Sequence, residues 1–156
     1  MRLCEIISSD RIVVDPKRAV VRDKAAALGL LGELLAPAVG LSAREVTERL
    51  EEREQLQSTG IGEGIAIPHT SFEGVTAHTG ALLLCKAGID FDAIDGSKVT
   101  IIFGVVAPKR STGEHLKTLA RISKLLKSEA TRERLVDSVD AKTAFSLIEV
   151  EDRALG

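Results

Sequence analysis

The sequence predicts an α/β layered domain. Two apolar runs of strand length, Ala81–Cys85 and Val99–Ala107, lie mid-chain and read as strands covered on both faces. Segments with helical periodicity precede, interrupt and follow them, the pattern of a layered α/β fold. The 156 residues, 44% apolar and 28% charged, suffice for one aliphatic core, so the whole chain, 1–156, reads as a single domain.

Taken in order, Arg11–Asp15 reads as a short strand closed by Pro16. Asp23 to Ala36 reads as a helix with Leu28, Leu31 and Leu35 on one face, and Pro37 is expected to end it. Ser42 to Glu54 is a second helix, opened by a capping box in which Glu45 stands three residues after Ser42. Val46 and Leu50 supply its apolar face. Ile65-Ala66-Ile67 is a short buried strand, and pairing is expected to end at Pro68. The strands 81–85 and 99–107 follow, with a turn at Asp95-Gly96 between Phe91 and Val99. Helical segments then run from Gly113 to Lys127, Ala130 to Ser138 and Ala141 to Glu149, the last with Asp140 as N-cap. The tail Glu151–Gly156 reads as loose. Strand order and sense are not readable at this level.

Composition excludes several functions. Four Phe, no Tyr and no Trp leave little for stacking on nucleobases. A net charge of −2 gives no electrostatic pull toward nucleic acid. Cys4 and Cys85 form no C-x-x-C pattern and suggest neither a disulfide framework nor zinc. Cys85, inside an apolar run, reads as an inert buried thiol. The N-terminus MRLCEIISSDR lacks the apolar stretch of a signal peptide, and no run is long enough to insert in a membrane. A cytoplasmic, reduced protein is the simplest expectation.

The most informative stretch is Ser58-Thr59-Gly60-Ile61-Gly62-Glu63-Gly64-Ile65-Ala66-Ile67-Pro68-His69. Three alternating glycines suggest an open turn where another molecule's backbone can approach closely. The short strand and Pro68 then fix His69 at the end of a rigid element, the framing a reactive imidazole needs. On the helix after residue 113, steps of 100° place His115, Leu119, Ile122 and Leu126 on one face and Lys117, Arg121, Lys124 and Lys127 on the other. His115 is either a satisfied boundary histidine or a second active-site imidazole, near a helix start that favours anions. Arg53 is either a solvated arginine or one reaching across the turn toward His69, where a guanidinium suits phosphate oxygens. His78 lacks a distinctive context and reads as a surface histidine. Residues 109–134 hold eight Lys or Arg against three Glu, which reads as a solvated face.

The glycines do not fit a nucleotide motif, because Gly60-x-Gly62-x-Gly64 follows a helix and leads into a strand, the reverse of a dinucleotide fingerprint. His69, His78 and His115 have no short metal-ligand spacing. There is no G-x-S-x-G elbow, and an unrelated hydrolase lacks a convincing nucleophile.

At these residues the sequence resembles the enzyme IIA domain of the fructose/mannitol family of the bacterial phosphoenolpyruvate-dependent sugar phosphotransferase system, and within it the stand-alone nitrogen-regulatory type. The signature runs from Glu54 through Ile61-Gly62, Ile65-Ala66-Ile67 and Pro68-His69. Arg53-Glu54, Phe91-Asp92-Ala93-Ile94-Asp95 and His115-Leu116 with Leu119 fit as well, and similarity covers roughly residues 3 to 149. The resemblance implies a mixed sheet of about five strands between helices. It implies that His69 accepts a phosphoryl group from a phosphohistidine on the histidine phosphocarrier or its nitrogen-branch paralogue. His115 and Arg53 would steady that group, with Thr59, Gly60, Gly62 and Gly64 forming the phosphoryl-binding turn. No metal or organic cofactor is implied. One departure stands at Thr70, where the signature has Gly, Ala or Cys. Its hydroxyl could bond phosphoryl oxygens or orient the ring, and its bulk could hinder the carrier.

The resulting expectation is a phosphorelay protein whose phosphorylation state regulates target proteins. Whether it counts as an enzyme is left open, since it carries a phosphoryl group rather than turning over a small molecule. Two alternatives stay open: an enzyme IIA subunit passing phosphate to a separate permease IIB component, or a non-phosphorylated binding regulator of the same fold.

Overall fold

The computed structural model describes residues 2–156. Two short 3₁₀ turns, Leu3–Glu5 and Ser9–Arg11, lead into β1 (Ile12–Val14). Helix α1 (Lys24–Val39) starts where the Asp23 carboxylate accepts the Ala26 N–H at 2.8 Å. Pro37 lies inside its last turn and does not end it. The helix stops instead at Gly40, whose φ of 72° turns the chain left-handed while its N–H and that of Leu41 bond the Ala36 carbonyl. Helix α2 (Ala43–Leu56) carries the expected Ser42–Glu45 capping box and runs two residues beyond Glu54.

Strand β2 (Gly60–Gly62) folds back on β3 (Ile65–Ala66) through Glu63 and Gly64, which have φ of 58° and 80°. Two consecutive positive φ values mark a two-residue hairpin turn of the primed type. Pairing does not end at Pro68. Strand β4 (His69–Phe72) resumes at once, and both β3 and β4 lie parallel to the long β6 (Val99–Pro108), one above the other. The Pro68 carbonyl accepts the Val105 N–H at 2.9 Å, so only the donor that proline lacks is lost. Strand β5 (Thr79–Ile89) pairs antiparallel with β6 and parallel with β1. The mixed sheet therefore has order β1-β5-β6-β3-β2 with β4 also on β6: six strands filling five positions.

Alternating residues of β5 and β6 feed two cores. Leu83, Cys85, Ile102 and Val106 pack with Leu28, Leu31 and Leu50 of α1 and α2. Leu82, Leu84, Ile101 and Phe103 pack on the opposite face with residues of α3 (Thr112–Leu126), α4 (Glu129–Val136) and α5 (Ala141–Ala154). Both central strands are covered on two faces, as their apolar runs predict.

The C-terminal tail is not loose. Helix α5 continues to Ala154, and fully buried Asp152 pairs with Arg121 at 2.7 Å and accepts the Leu3 N–H at 2.7 Å. Arg121 is therefore an anchor between α3 and α5 and not part of a solvated basic face. Arg132 departs from that face too: it donates to the Leu126 and Lys127 carbonyls at 2.8 Å and lies 3.4 Å from Glu63 of the hairpin turn. Burial pushes the Cys85 thiol up to about 12, as befits an inert core residue.

Candidate functional site

Strand β4 begins at His69 because Pro68 interrupts the ladder just before it, and His69 is half-buried opposite Val105 of β6. Its Nδ1 lies 2.7 Å from the Ile67 carbonyl oxygen. A carbonyl only accepts, so Nδ1 carries the proton and Nε2 keeps its lone pair. Burial pushes the pKa of His69 below the ordinary imidazole value; the Ile67 carbonyl opposes this, Arg53 adds to it and Glu54 opposes it. The site thus holds a neutral imidazole at neutral pH with one nucleophilic nitrogen.

His115, in the first turn of α3, stands with its ring centroid 5.3 Å from that of His69 and tilted by 58°. The structure thus sets His115 beside His69, with its buried Nδ1 lacking a hydrogen-bond partner. Its pKa falls to about 4, through burial first and then through His69 and His78. His78 is not a surface histidine: its ring lies 5.9 Å from that of His115 at 28°, and its Nε2 is sealed from solvent. It precedes β5, and β5 runs antiparallel beside β6 with Thr79 opposite Val106, while Thr70 of β4 pairs with the same Val106. That shared register brings positions 69 and 78 to one end of the sheet. Nothing in the local sequence signals it.

A cleft of about 270 Å³ opens beside His69, lined among others by Arg53, Thr59, Ile61, Ile94 and Leu119. Arg53 does come to the site, its guanidinium capping α2 by donating to the Gln57 carbonyl at 2.9 Å. Thr59 is held from behind. Its N–H lies 3.1 Å from the buried Glu54 carboxylate, its hydroxyl also donates to Glu54, and Lys24 completes the group at 2.9 Å from Glu54. The sequence marks Glu54 as part of a signature but does not reveal this role.

The glycines differ from expectation. Gly60, Gly62 and Gly64 are buried, outside the lining of the cleft, and form no open surface turn. The Gly60 N–H is bonded by Ser58 Oγ, and a Cβ at Gly60 would come within 2.9 Å of the Ala93 backbone. The loop from Phe91 to Ser97 grips the hairpin: Ser58 Oγ donates to the Phe91 carbonyl at 2.7 Å, and the Glu63 N–H donates to Asp95 at 3.1 Å. Glycine here allows close packing of backbone on backbone. Thr70 follows His69 in a regular strand, so its side chain points to the opposite face, the side of Phe72 and α2. Neither the hydroxyl contact nor the bulk envisaged beside His69 arises from that direction.

Among the described residues no group of three or more His, Cys, Asp or Glu is arranged to hold a metal, and no helix is long and apolar enough to cross a membrane. What remains is a half-buried neutral imidazole with a free Nε2, a second imidazole beside it and a guanidinium nearby. Chemically, that set can accept an electrophilic, anionic group.

Comparison with known proteins shows the family of the chain. The chain is 32% identical over 148 residues to a nitrogen regulatory protein of Bradyrhizobium diazoefficiens, covering 95% of each. Its fold matches the nitrogen regulatory protein IIA-Ntr of Neisseria meningitidis with a TM-score of 0.85 at 34% identity, covering 94% of this chain and 98% of that one. It also matches the mannitol enzyme IIA of Escherichia coli, solved in complex with phosphorylated enzyme IIB, with a TM-score of 0.75 at 22% identity over 92% and 96% of the chains, a likeness of fold. The family described as phosphoenolpyruvate-dependent sugar phosphotransferase system, EIIA 2, matches residues 5–150, and the chain belongs to that family.

Proposed function

We propose that this chain accepts a phosphoryl group on Nε2 of His69 from a phosphohistidine on a small carrier protein, the histidine phosphocarrier or its nitrogen-branch paralogue. The phosphorylated and unphosphorylated forms then bind regulatory target proteins differently. The observation that carries the reading is the 2.7 Å contact of Nδ1 with the Ile67 carbonyl beside the ring of His115. The Nε2 lone pair attacks phosphorus in line, the N–P bond on the carrier breaks, and its electron pair returns to the carrier imidazole. Positive charge that develops on the His69 ring is met by the Ile67 carbonyl dipole. His115 and Arg53 face the transferred oxygens.

Similarity to nitrogen regulatory proteins supports the regulatory output. Phosphate adds roughly −1.5 to −2 charges, by analogy with other phosphorylated side chains, enough to rearrange a docking surface. The test is incubation with phosphoenolpyruvate, its kinase and the carrier, followed by binding assays on both forms. Acid-labile label is expected on the wild type and absent from His69→Ala. Equal label on both proteins eliminates the assignment, and no label on either favours a regulator that works by docking alone. A second reading, transfer onward to a separate IIB component, draws on the fold shared with the mannitol enzyme IIA of the IIB complex. Loss of label to an added IIB protein distinguishes it.

A further inference from the structure

Three imidazoles stand in a row, and the proposed reaction uses two of them. Successive ring centroids of His69, His115 and His78 are 5.3 and 5.9 Å apart. Among the described residues, the buried side-chain nitrogens or oxygens without a hydrogen-bond partner are His115 Nδ1 and His78 Nε2. Buried polar atoms are rarely left unpaired, and these two belong to adjoining rings. The two rings are inclined by 28° with centroids 5.9 Å apart, and no direct hydrogen bond joins the two nitrogens. A slight closure, or one bridging water, pairs them.

The polarity of that pairing decides what His115 can do. A neutral imidazole has one donor and one acceptor nitrogen. Nδ1 is the sealed nitrogen of His115, so Nε2 is the one that can meet a ligand. For Nε2–H to donate to a phosphoryl oxygen, Nδ1 must accept. We propose that His78 is a positioning residue: its Nε2–H donates to His115 Nδ1, directly or through one water, and holds His115 in the tautomer that presents Nε2–H toward His69. The opposite polarity would aim a lone pair at anionic oxygens. A partner at one ring nitrogen commonly sets the state of the other in this way. The catalytic consequence rests on His69 being the phosphoryl acceptor; the hydrogen bond itself does not.

Long-range proton–nitrogen spectra of ¹⁵N-labelled protein, recorded without any phosphate donor, test the bond. In the wild type His115 is expected to be protonated on Nε2, with an Nδ1 resonance shifted by a bound donor. His78→Phe keeps a flat ring but removes the donor. There the Nδ1 resonance should move to that of a free lone pair, and the phosphorylation rate should drop roughly tenfold. His78→Gln returns an N–H and should recover both, which a purely packing role would not produce. Protonation of His115 on Nδ1 in the wild type overturns the proposal, as does an Nδ1 resonance unchanged in His78→Phe. Should a variant fail to fold, the wild-type spectrum still decides. Should no protein take phosphate, the transfer reading fails while the spectra still judge the bond.

Discussion

Nδ1 of His69 lies 2.7 Å from the carbonyl oxygen of Ile67, two residues earlier in the chain. The contact spans Pro68, which stands in the break between β3 and β4. It leaves Nε2 unprotonated, and burial keeps the ring neutral to lower pH than a free imidazole. Under the proposed reading, the phosphorylation rate stays level through neutrality and falls only below the ordinary imidazole pKa of about 6.5. A rate profile that halves above that value contradicts this assignment.

His115 is expected to stabilise charge on the transferring group. His115→Ala should slow phosphorylation on the order of 10²-fold while His69 remains the labelled residue. Quenched-flow labelling with the carrier in excess measures it.

Acid stability follows from the same burial. His115 titrates near 4 in the folded chain, against about 6.5 unfolded. The unfolded state thus binds the extra proton first as pH falls. Stability contributed by the neutral ring is complete above about 6.5 and is lost progressively toward 4. Urea unfolding across that window should show a declining midpoint, with a shallower decline in His115→Phe.

Glu54 supports the cleft wall from behind. Glu54→Ala leaves the Thr59 N–H and Lys24 without their carboxylate and should cost about 1–3 kcal/mol. Phosphorylation should slow as well, because Thr59 loses its anchor. An unchanged rate at full folding separates Glu54 from the site.

Asp152 and Arg121 tie α5 to α3, the helix that carries His115. Asp152→Ala strands the part-buried Arg121 guanidinium and should lose about 3–5 kcal/mol. A chain cut after Glu149 should behave similarly in denaturant.

Thr70 points away from His69, so Thr70→Gly should leave the phosphorylation rate within about twofold. The cost should appear in stability, about 1 kcal/mol for weakened strand propensity. A rate that rises severalfold instead would mean that the methyl or hydroxyl obstructs the carrier.

Periodicity and turn chemistry made much of this protein legible in advance. The capping box at Ser42, the Asp140 cap and the doubly covered strands all follow from neighbours in sequence. The resemblance carried by Glu54 to His69 likewise needed only the order of residues. Short-range rules misjudged the two prolines, because each costs one donor that the surrounding structure tolerates: Pro37 near a helix end, Pro68 between two strands that share one partner.

What sequence could not decide was anything set by sheet register or by contact between distant elements. The pairing of β4 and β5 with β6 brings His78 to His115. The strand alternation turns Thr70 aside, and the return of α5 buries Asp152 against Leu3, 149 residues away. Local propensity acts over a few residues, whereas these placements arise only when the layers close and buried polar groups find their partners.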